Sequence, residues 1–301
     1  MTSAARLRRL ALAAGVLMGM RTAAAASPVI IVVEAEDEAG RALGDILEKD
    51  LAGKTEVRAL VYSADSIANP IFKGRLLAAL SRAKLVVPVG DSSTGLALEE
   101  LEGSDVYFVG ASAVPGKQLA NPRVSGVLSY SPDDVFASIP RQWSRDFGLL
   151  YTPGYEPVLD QVRAAAQRNG VSIRERRVTQ RSRIPETVDR LLPTVAVLWV
   201  LGDPAIAREA GFDHVAEQAL SYDKPLIGSS GWEVLRGAAF CSQARPESLA
   251  ARASTSILEL LGGGSKPRVE TAPPGGTIVY HPGLAKRYGL SPKGPTWIRV
   301  Q

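Results

Sequence analysis

Residues that bind metals or form disulfide bonds are scarce in this chain. Cys241 is the single cysteine among 301 residues, and His214 and His281 are the two histidines. One cysteine cannot form an intrachain disulfide bond, and no cysteine lies near the N-terminus to carry a lipid anchor. Because the histidines lie far from the cysteine and from each other, no metal-ligand spacing occurs. We therefore expect neither a metal site nor a cofactor.

Catalytic signatures are missing as well. The first apolar segment continues into Glu34–Gly40 without the G-x-G-x-x-G pattern of a dinucleotide site, and no G-x-x-x-x-G-K-[ST] segment occurs. The segment Gly228–Trp232 reads G-S-S-G-W, which lacks the G-x-S-x-G spacing of a nucleophile elbow. The sequence therefore predicts a protein that is not an enzyme.

Long apolar runs are also lacking, since none reaches the roughly 18 residues that span a bilayer. Three arginines precede the short apolar run Leu10–Met20, and the small residues that follow offer an A-x-A cleavage site. This pattern is typical of a secretory signal peptide over residues 1–26. It predicts a mature chain that begins at Ser27 and lies free in the periplasm. The pair Arg8-Arg9 leaves twin-arginine export open beside general secretion.

An excess of charge of one sign is absent once the leader is set aside. The chain has 35 basic and 31 acidic residues, and the leader holds four of the arginines and no acidic residue. The rest of the chain therefore carries 31 charges of each sign. The isoelectric point of 9.2 reflects the leader and does not argue for a nucleic-acid partner. We expect no such partner.

What the chain does have is a regular alternation of strand-like and helix-like segments. Strand-like runs in the first half are Val29–Ala35, Val57–Ala64, Leu85–Asp91, Asp105–Ala111 and Val124–Tyr130. The pattern restarts at Phe147 and continues to about Ser230. Alternation at this spacing predicts parallel sheets with right-handed crossover helices. Two such halves predict an α/β protein of two lobes with a boundary near Arg145.

The second half carries segments with a family likeness. Lys224–Phe240, a helix that ends in L-E-L-L-G-G-G-S-K-P, and Thr277–Pro292 occur in the same order as in exported solute-binding proteins of bacterial ABC transporters. More narrowly, the chain resembles the tryptophan/tyrosine-type subfamily within the type I periplasmic-binding fold. The resemblance is strongest over residues 147–292.

The resemblance implies a clamshell of two Rossmann-like lobes with parallel sheets, joined by a hinge, that closes on a small molecule. It assigns residues 27–144 and 236–268 to the first lobe, and residues 145–235 and 276–301 to the second. The implied function is capture of an amino acid or an aromatic or apolar solute by a monomer that presents it to a membrane ABC permease. A periplasmic sensory or accessory component of a non-ABC transport or signalling system is the alternative.

Candidate ligand contacts in the first lobe are hydroxyl side chains that follow predicted strands. Ser92, Ser93 and Thr94 lie where a strand gives way to a helix, so their hydroxyls and free amides suit a carboxylate or another anion. Ordinary helix capping is the alternative. In the next such loop the family often carries an Asp-Pro pair, which Ser112-Ala113 replaces here. Ser112 is the remaining polar candidate in that loop.

In the second lobe, Asp203 is the sharpest candidate. It follows the apolar run L-W-V-L-G and precedes Pro204, so it suits a helix N-cap, a ligand contact, or both. The resemblance places this strand end in the cleft. Tyr151, Tyr155 and Trp232 lie at or near other strand ends, where their rings could stack on a ligand.

Two charged segments can be explained without a ligand contact. The acidic residues of Glu34–Glu38 are typical of a solvated helix N-terminus, where they oppose the helix dipole, and a cationic ligand is the lesser alternative. The arginines of Arg174–Arg183 predict an exposed strand face and turn, or a surface for a membrane partner.

Overall fold

The computed structural model describes residues 29–207, 209–264, 269–292 and 296–300. The leader predicted over residues 1–26 lies outside this part of the chain, as does the predicted start of the mature chain. Within the described ranges, no helix combines the length and apolar character that crossing a bilayer requires.

Strands and helices alternate through the first half of the chain, as the sequence predicts. In chain order the elements are β1 (Val29–Glu34), α1 (Glu38–Leu51), β2 (Val57–Tyr62), α2 (Ala64–Ile67), α3 (Pro70–Leu80), β3 (Leu85–Val89), α4 (Gly90–Glu100), β4 (Val106–Ala111), α5 (Gly116–Leu119), β5 (Val124–Leu128) and α6 (Pro132–Ala137). Alternate residues of β1 pack on α1 or on α3 and α4, so both faces of the strand are buried. This is why β1 and β3 are almost continuously apolar.

The second half repeats the alternation. Its elements are β6 (Asp146–Tyr151), α7 (Glu156–Arg168), β7 (Ser172–Arg177), α8 (Ile184–Leu191), β8 (Val197–Val200), α9 (Pro204–Ala207), α10 (Glu209–Ser221), β9 (Leu226–Ile227), α11 (Gly231–Leu235), β10 (Phe240–Gln243), α12 (Pro246–Leu261), β11 (Val269–Glu270), β12 (Thr277–Tyr280), α13 (Pro282–Arg287) and β13 (Trp297–Arg299). Short 3-10 turns flank α8.

The strands form two sheets, one for each lobe. The six-stranded sheet has the order β11-β5-β4-β3-β1-β2, and its described pairs are parallel. The seven-stranded sheet has the order β13-β12-β10-β9-β8-β6-β7. Its pairs are parallel except that β10 runs antiparallel to β12. Two parallel-sheet α/β lobes were expected; the antiparallel pair was not.

The chain passes between the lobes after β5, after β10 and after β11. The second of these crossings differs from the sequence expectation, which placed residues 236–268 in the first lobe. β10 pairs with β9 and β12 in the second sheet, and the chain changes lobe only between Gln243 and Pro246. From there α12 packs against α1 of the first lobe. The other domain bounds remain a proposal.

The last crossing is held by hydrogen bonds to side chains of two neighbouring helices. Gln161 of α7 accepts a hydrogen bond from the Thr271 amide at 2.8 Å and donates to the Val269 carbonyl at 2.8 Å. Asp134, in α6, accepts from the amides of Gly275 and Gly276, each at 2.9 Å. Side chains of α6 and α7 therefore bind the segment that returns the chain to the second lobe.

An aromatic cluster joins the lobes near the first crossing. Phe136 packs edge-on against Phe147 and Trp199, with ring centroids 5.6 Å apart in each pair. Tyr130 packs against Trp199 at 6.1 Å. These rings are buried in one apolar cluster that contains residues of both sheets. Trp199 is therefore a core residue.

Candidate functional site

Loops at the carboxyl ends of parallel strands meet between the lobes. The loop after β4 in the first lobe contacts the loops after β6 and β8 in the second. The Val114 amide donates to the Gly202 carbonyl at 2.9 Å, and the Tyr155 hydroxyl donates to the Val114 carbonyl at 2.7 Å. In doubly wound sheets this edge is where ligands bind.

Two glycines allow the backbones of the two lobes to touch. A Cβ at Gly202 would overlap the carbonyl oxygen of Ser112, and one at Gly154 would overlap the carbonyl oxygen of Gly116. Gly154 also has a φ of 97°, which side-chain-bearing residues rarely adopt. Any larger residue at either position would force the loops apart.

Asp203 lies at the centre of this contact and is 2% exposed. Its Oδ1 accepts from the Ala205 amide at 2.7 Å and so caps α9. Its Oδ2 accepts from the Gly116 amide of the first lobe at 3.1 Å and from the Thr152 hydroxyl. Burial raises the pKa of Asp203, and the amides of Ala205 and Gly116 oppose that rise. The capping interpretation is confirmed, and the carboxylate also links the two lobes.

A second aspartate, Asp91, holds the same first-lobe loop from its other end. Asp91 lies in the first turn of α4 and accepts from the Ser112 amide at 2.7 Å and from the Ala113 amide at 3.1 Å. The Ser112 hydroxyl donates to its second oxygen at 2.6 Å. The polar group of Ser112 therefore has a protein partner. Sequence reasoning did not single out Asp91.

The hydroxyl residues after β3 lie inside a helix. α4 begins at Gly90, and Val89 precedes it without a side-chain capping bond, so these residues do not cap it. Ser92 is exposed. Ser93 lies 3.3 Å from the Tyr62 hydroxyl, and Thr94 is buried with no hydrogen-bond partner for its hydroxyl in the described part of the chain.

The three aromatic candidates lie in different surroundings. Tyr155 is fully buried, and its hydroxyl bridges the backbones of Val114 and Gly202. Tyr151 is half-buried and packs against the core. Trp232 is 41% exposed and packs against Phe212 and beneath the guanidinium of Arg236. The structure does not bring them together around one space.

A cavity of about 320 Å³ opens beside Asp203, between the lobes. Pro115, Gly116 and Lys117 line it from the first lobe, and Thr152 and Arg181 are among the residues that line it from the second. Of the eight predicted ligand contacts, Asp203 alone lines this cavity. Lys117, Thr152 and Arg181 were missed, and their positions after β4, β6 and β7 are the signal that could have identified them.

Glu233 is a buried acid that sequence reasoning also missed. It accepts from the amides of Ser229 and Ser230, and Ser230 caps α11 in a reciprocal box that the S-x-x-E spacing encodes. Burial, together with the nearby charge of Asp91, raises the pKa of Glu233 to about 8, although the hydrogen bonds from the Ser229 and Ser230 amides oppose the rise. Glu233 is therefore mostly protonated at neutral pH. No group of three or more metal-ligating residues occurs within the described ranges.

Solved structures of solute-binding proteins share this architecture. A substrate-binding protein with adhesive properties from Clostridium difficile, in its ligand-free, open form, is 16% identical, with a TM-score of 0.50 over 91% of this chain and 99% of its own. An ABC domain in complex with L-Trp from Streptococcus pneumonia is 19% identical, with a TM-score of 0.50 over 88% of this chain and 95% of its own. The fold is the type I periplasmic-binding clamshell. No family model matches the chain, and no curated protein does.

Proposed function

We propose that this protein captures a small solute between its two lobes and presents it to a membrane permease of an ABC transporter. The observation that carries the proposal is the cavity beside Asp203, because both lobes line it and its residues follow the carboxyl ends of strands. Its volume of about 320 Å³ suits a small molecule. Export to the periplasm, action as a monomer and membership of the tryptophan/tyrosine-type subfamily belong to the same proposal.

The mechanism is a shift between open and closed arrangements of the lobes. The Val114 amide donates to the Gly202 carbonyl, and the Gly116 amide donates to the Asp203 side chain. Both hydrogen bonds run from one lobe to the other, so they form only when the lobes are in contact. A solute that contacts both walls of the cavity adds binding energy to the closed arrangement alone. The population of closed molecules then rises with the differential affinity for the two states. The membrane partner recognises the closed arrangement.

The test is to release periplasmic protein by osmotic shock and to identify bound small molecules by native mass spectrometry. Titration calorimetry of the identified solute then compares wild type with Gly202→Ala, whose added Cβ would overlap Ser112 and oppose closure. Gly74→Ala is the matched control, because a Cβ there meets nothing within 4 Å. We expect Gly202→Ala to weaken binding at least about tenfold, or 1.4 kcal/mol, while Gly74→Ala does not. Equal affinity in all three proteins would refute interlobe capture.

A further inference from the structure

The interlobe cavity is lined by cations that lack counter-charges. Lys117 lies on its first-lobe side and Arg181 on its second-lobe side, and both are exposed. In the described part of the chain, neither side chain has an ion pair or a hydrogen bond. The cavity therefore presents one free positive charge from each lobe.

Asp203, the carboxylate that lines the same cavity, does not neutralise these cations. It is 2% exposed, and its two oxygens already accept from Ala205, Gly116 and Thr152. Burial raises its pKa, and the amides of Ala205 and Gly116 oppose that rise. The acid shapes the loop, and the cations remain available to a ligand.

The remainder of the wall is largely apolar. Val178, Ile184 and Ile206 are buried side chains that line the cavity, and Pro115 and Pro153 also line it. Apolar walls with a few polar groups are typical of small-molecule sites, in which the polar groups fix the orientation. The apolar lining can contact an apolar part of a ligand, and the two cations can bind its anionic group.

The surface next to the cavity is also basic. A neighbouring concavity of about 200 Å³ shares Val178 and Thr179 with the interlobe cavity and is lined by four arginines. They are Arg176, Arg177, Arg183 and Arg190. Glu186, which pairs with Arg190 at 2.7 Å, is the one acid of that lining. Such a field raises the local concentration of anions beside the cavity.

From these observations we infer that the interlobe cavity binds a small organic anion with an apolar body, and that Lys117 and Arg181 hold its carboxylate from opposite lobes. The inference rests on the proposed function and names its ligand class. With the cavity empty, the two cations repel each other across the cleft. A bound carboxylate attracts both, so its charge itself favours closure.

The test uses three probes with the same carbon chain: hexanoate, hexan-1-ol and hexylamine. Calorimetry at low ionic strength should show saturable binding of hexanoate, at least about tenfold weaker binding of the alcohol, and weaker binding still of the amine. Lys117→Gln and Arg181→Gln should each weaken hexanoate about tenfold without changing the affinity for the alcohol. Lys54→Gln and Arg82→Gln are matched controls, because these side chains lie outside the cavity lining.

Several outcomes would overturn the inference. Hexanoate that does not bind, that binds no better than hexan-1-ol, or that binds equally well to Lys117→Gln and Arg181→Gln contradicts the anion site. If the alcohol or the amine binds best and Gly202→Ala abolishes that binding, the inference fails while interlobe capture stands. If the hexanoate affinity depends on Arg181 but not on Gly202, interlobe capture fails, and the inference that rests on it fails as well.

Discussion

The same dipeptide, Gly-Asp, follows a buried strand in each lobe, and its two copies act differently. Gly90-Asp91 follows β3, and Gly202-Asp203 follows β8. Asp91 binds Ser112 and Ala113 within its own lobe, whereas Asp203 binds Gly116 across the lobes. Both carboxylates therefore hold one loop, from opposite ends. The comparison shows that local sequence places the acid, whereas the partner lobe decides whether it stabilises a loop or an interface.

The largest expected effect is the loss of stability when Asp203 is replaced, which should exceed the loss when Asp91 is replaced. Asp203→Ala leaves the amides of Gly116 and Ala205 and the hydroxyl of Thr152 without their buried acceptor. We expect the free energy of unfolding to fall by about 3 kcal/mol, the upper range for unsatisfied buried groups. Urea denaturation measures it. A loss below about 1 kcal/mol would mean that water replaces the carboxylate and that the lobes do not depend on it.

The second prediction concerns pH and Glu233, which lies near Asp91. Its folded pKa of about 8 exceeds the value of about 4.3 for an unfolded glutamate. The folded chain therefore holds the proton between these pH values. The stability that protonated Glu233 contributes is complete below about pH 4 and is lost as pH rises through about 8. Over this range the free energy of unfolding falls by up to about 1.4 kcal/mol per pH unit.

The control for this prediction is Glu233→Gln, which keeps an acceptor for Ser229 and Ser230 and does not titrate. Unfolding free energies of the two proteins, measured at several pH values, should diverge as the pH rises, with the wild type losing more. Parallel curves would show that Glu233 is ionised throughout and that its surroundings are more polar than the structure indicates.

The third prediction is a smaller loss for the first-lobe aspartate. Asp91→Ala removes an acceptor for Ser112 and Ala113, but these groups lie in partly exposed surroundings where water can replace it. We expect a loss of about 1 kcal/mol by urea denaturation, clearly less than for Asp203→Ala. An equal or larger loss would show that the loop, rather than the interlobe contact, limits stability.

The smallest expected effect is at Ser92, which the sequence offered as a candidate ligand contact beside ordinary helix capping. Its side chain is exposed on α4 and does not line the interlobe cavity. Ser92→Ala should change the unfolding free energy by less than about 0.5 kcal/mol and leave the affinity for hexanoate unchanged. A marked loss of affinity would indicate that the ligand binds at the start of α4, just after β3.

The sequence predicted the lobes well because buried parallel strands are recognisable locally. Runs such as Val29–Val33 and Leu85–Val89 are apolar on both faces, and only two covering layers of helix explain that pattern. The lobe of β10 was placed wrongly because Phe240–Gln243 is short and mixed in character. Which sheet β10 joins depends on its pairing with β9 and β12. β9 is too short to identify from the sequence, and β12 lies far along the chain from β10.

The site was less predictable, because it depends on contacts between lobes. Asp203 was identified from its place at a strand end. Asp91 was passed over in favour of the three hydroxyl residues beside it, since its role depends on a loop that lies 21 residues further along the chain. Lys117 and Arg181 are two among 35 basic residues, and only the docking of the lobes shows that they line one cavity.

Amide hydrogen exchange at the loop that both aspartates hold tests most directly whether Asp203 joins the lobes. In Asp203→Asn the helix cap survives but the second oxygen is replaced by a donor, so the Gly116 amide should exchange about tenfold or more faster, while the Ser112 and Ala113 amides keep their protection. Asp91→Ala, which removes the oxygen that both of these amides bind, should show the reverse pattern. If Gly116 keeps full protection in Asp203→Asn, the Asp203 carboxylate does not hold the lobes together, and closure depends on other contacts.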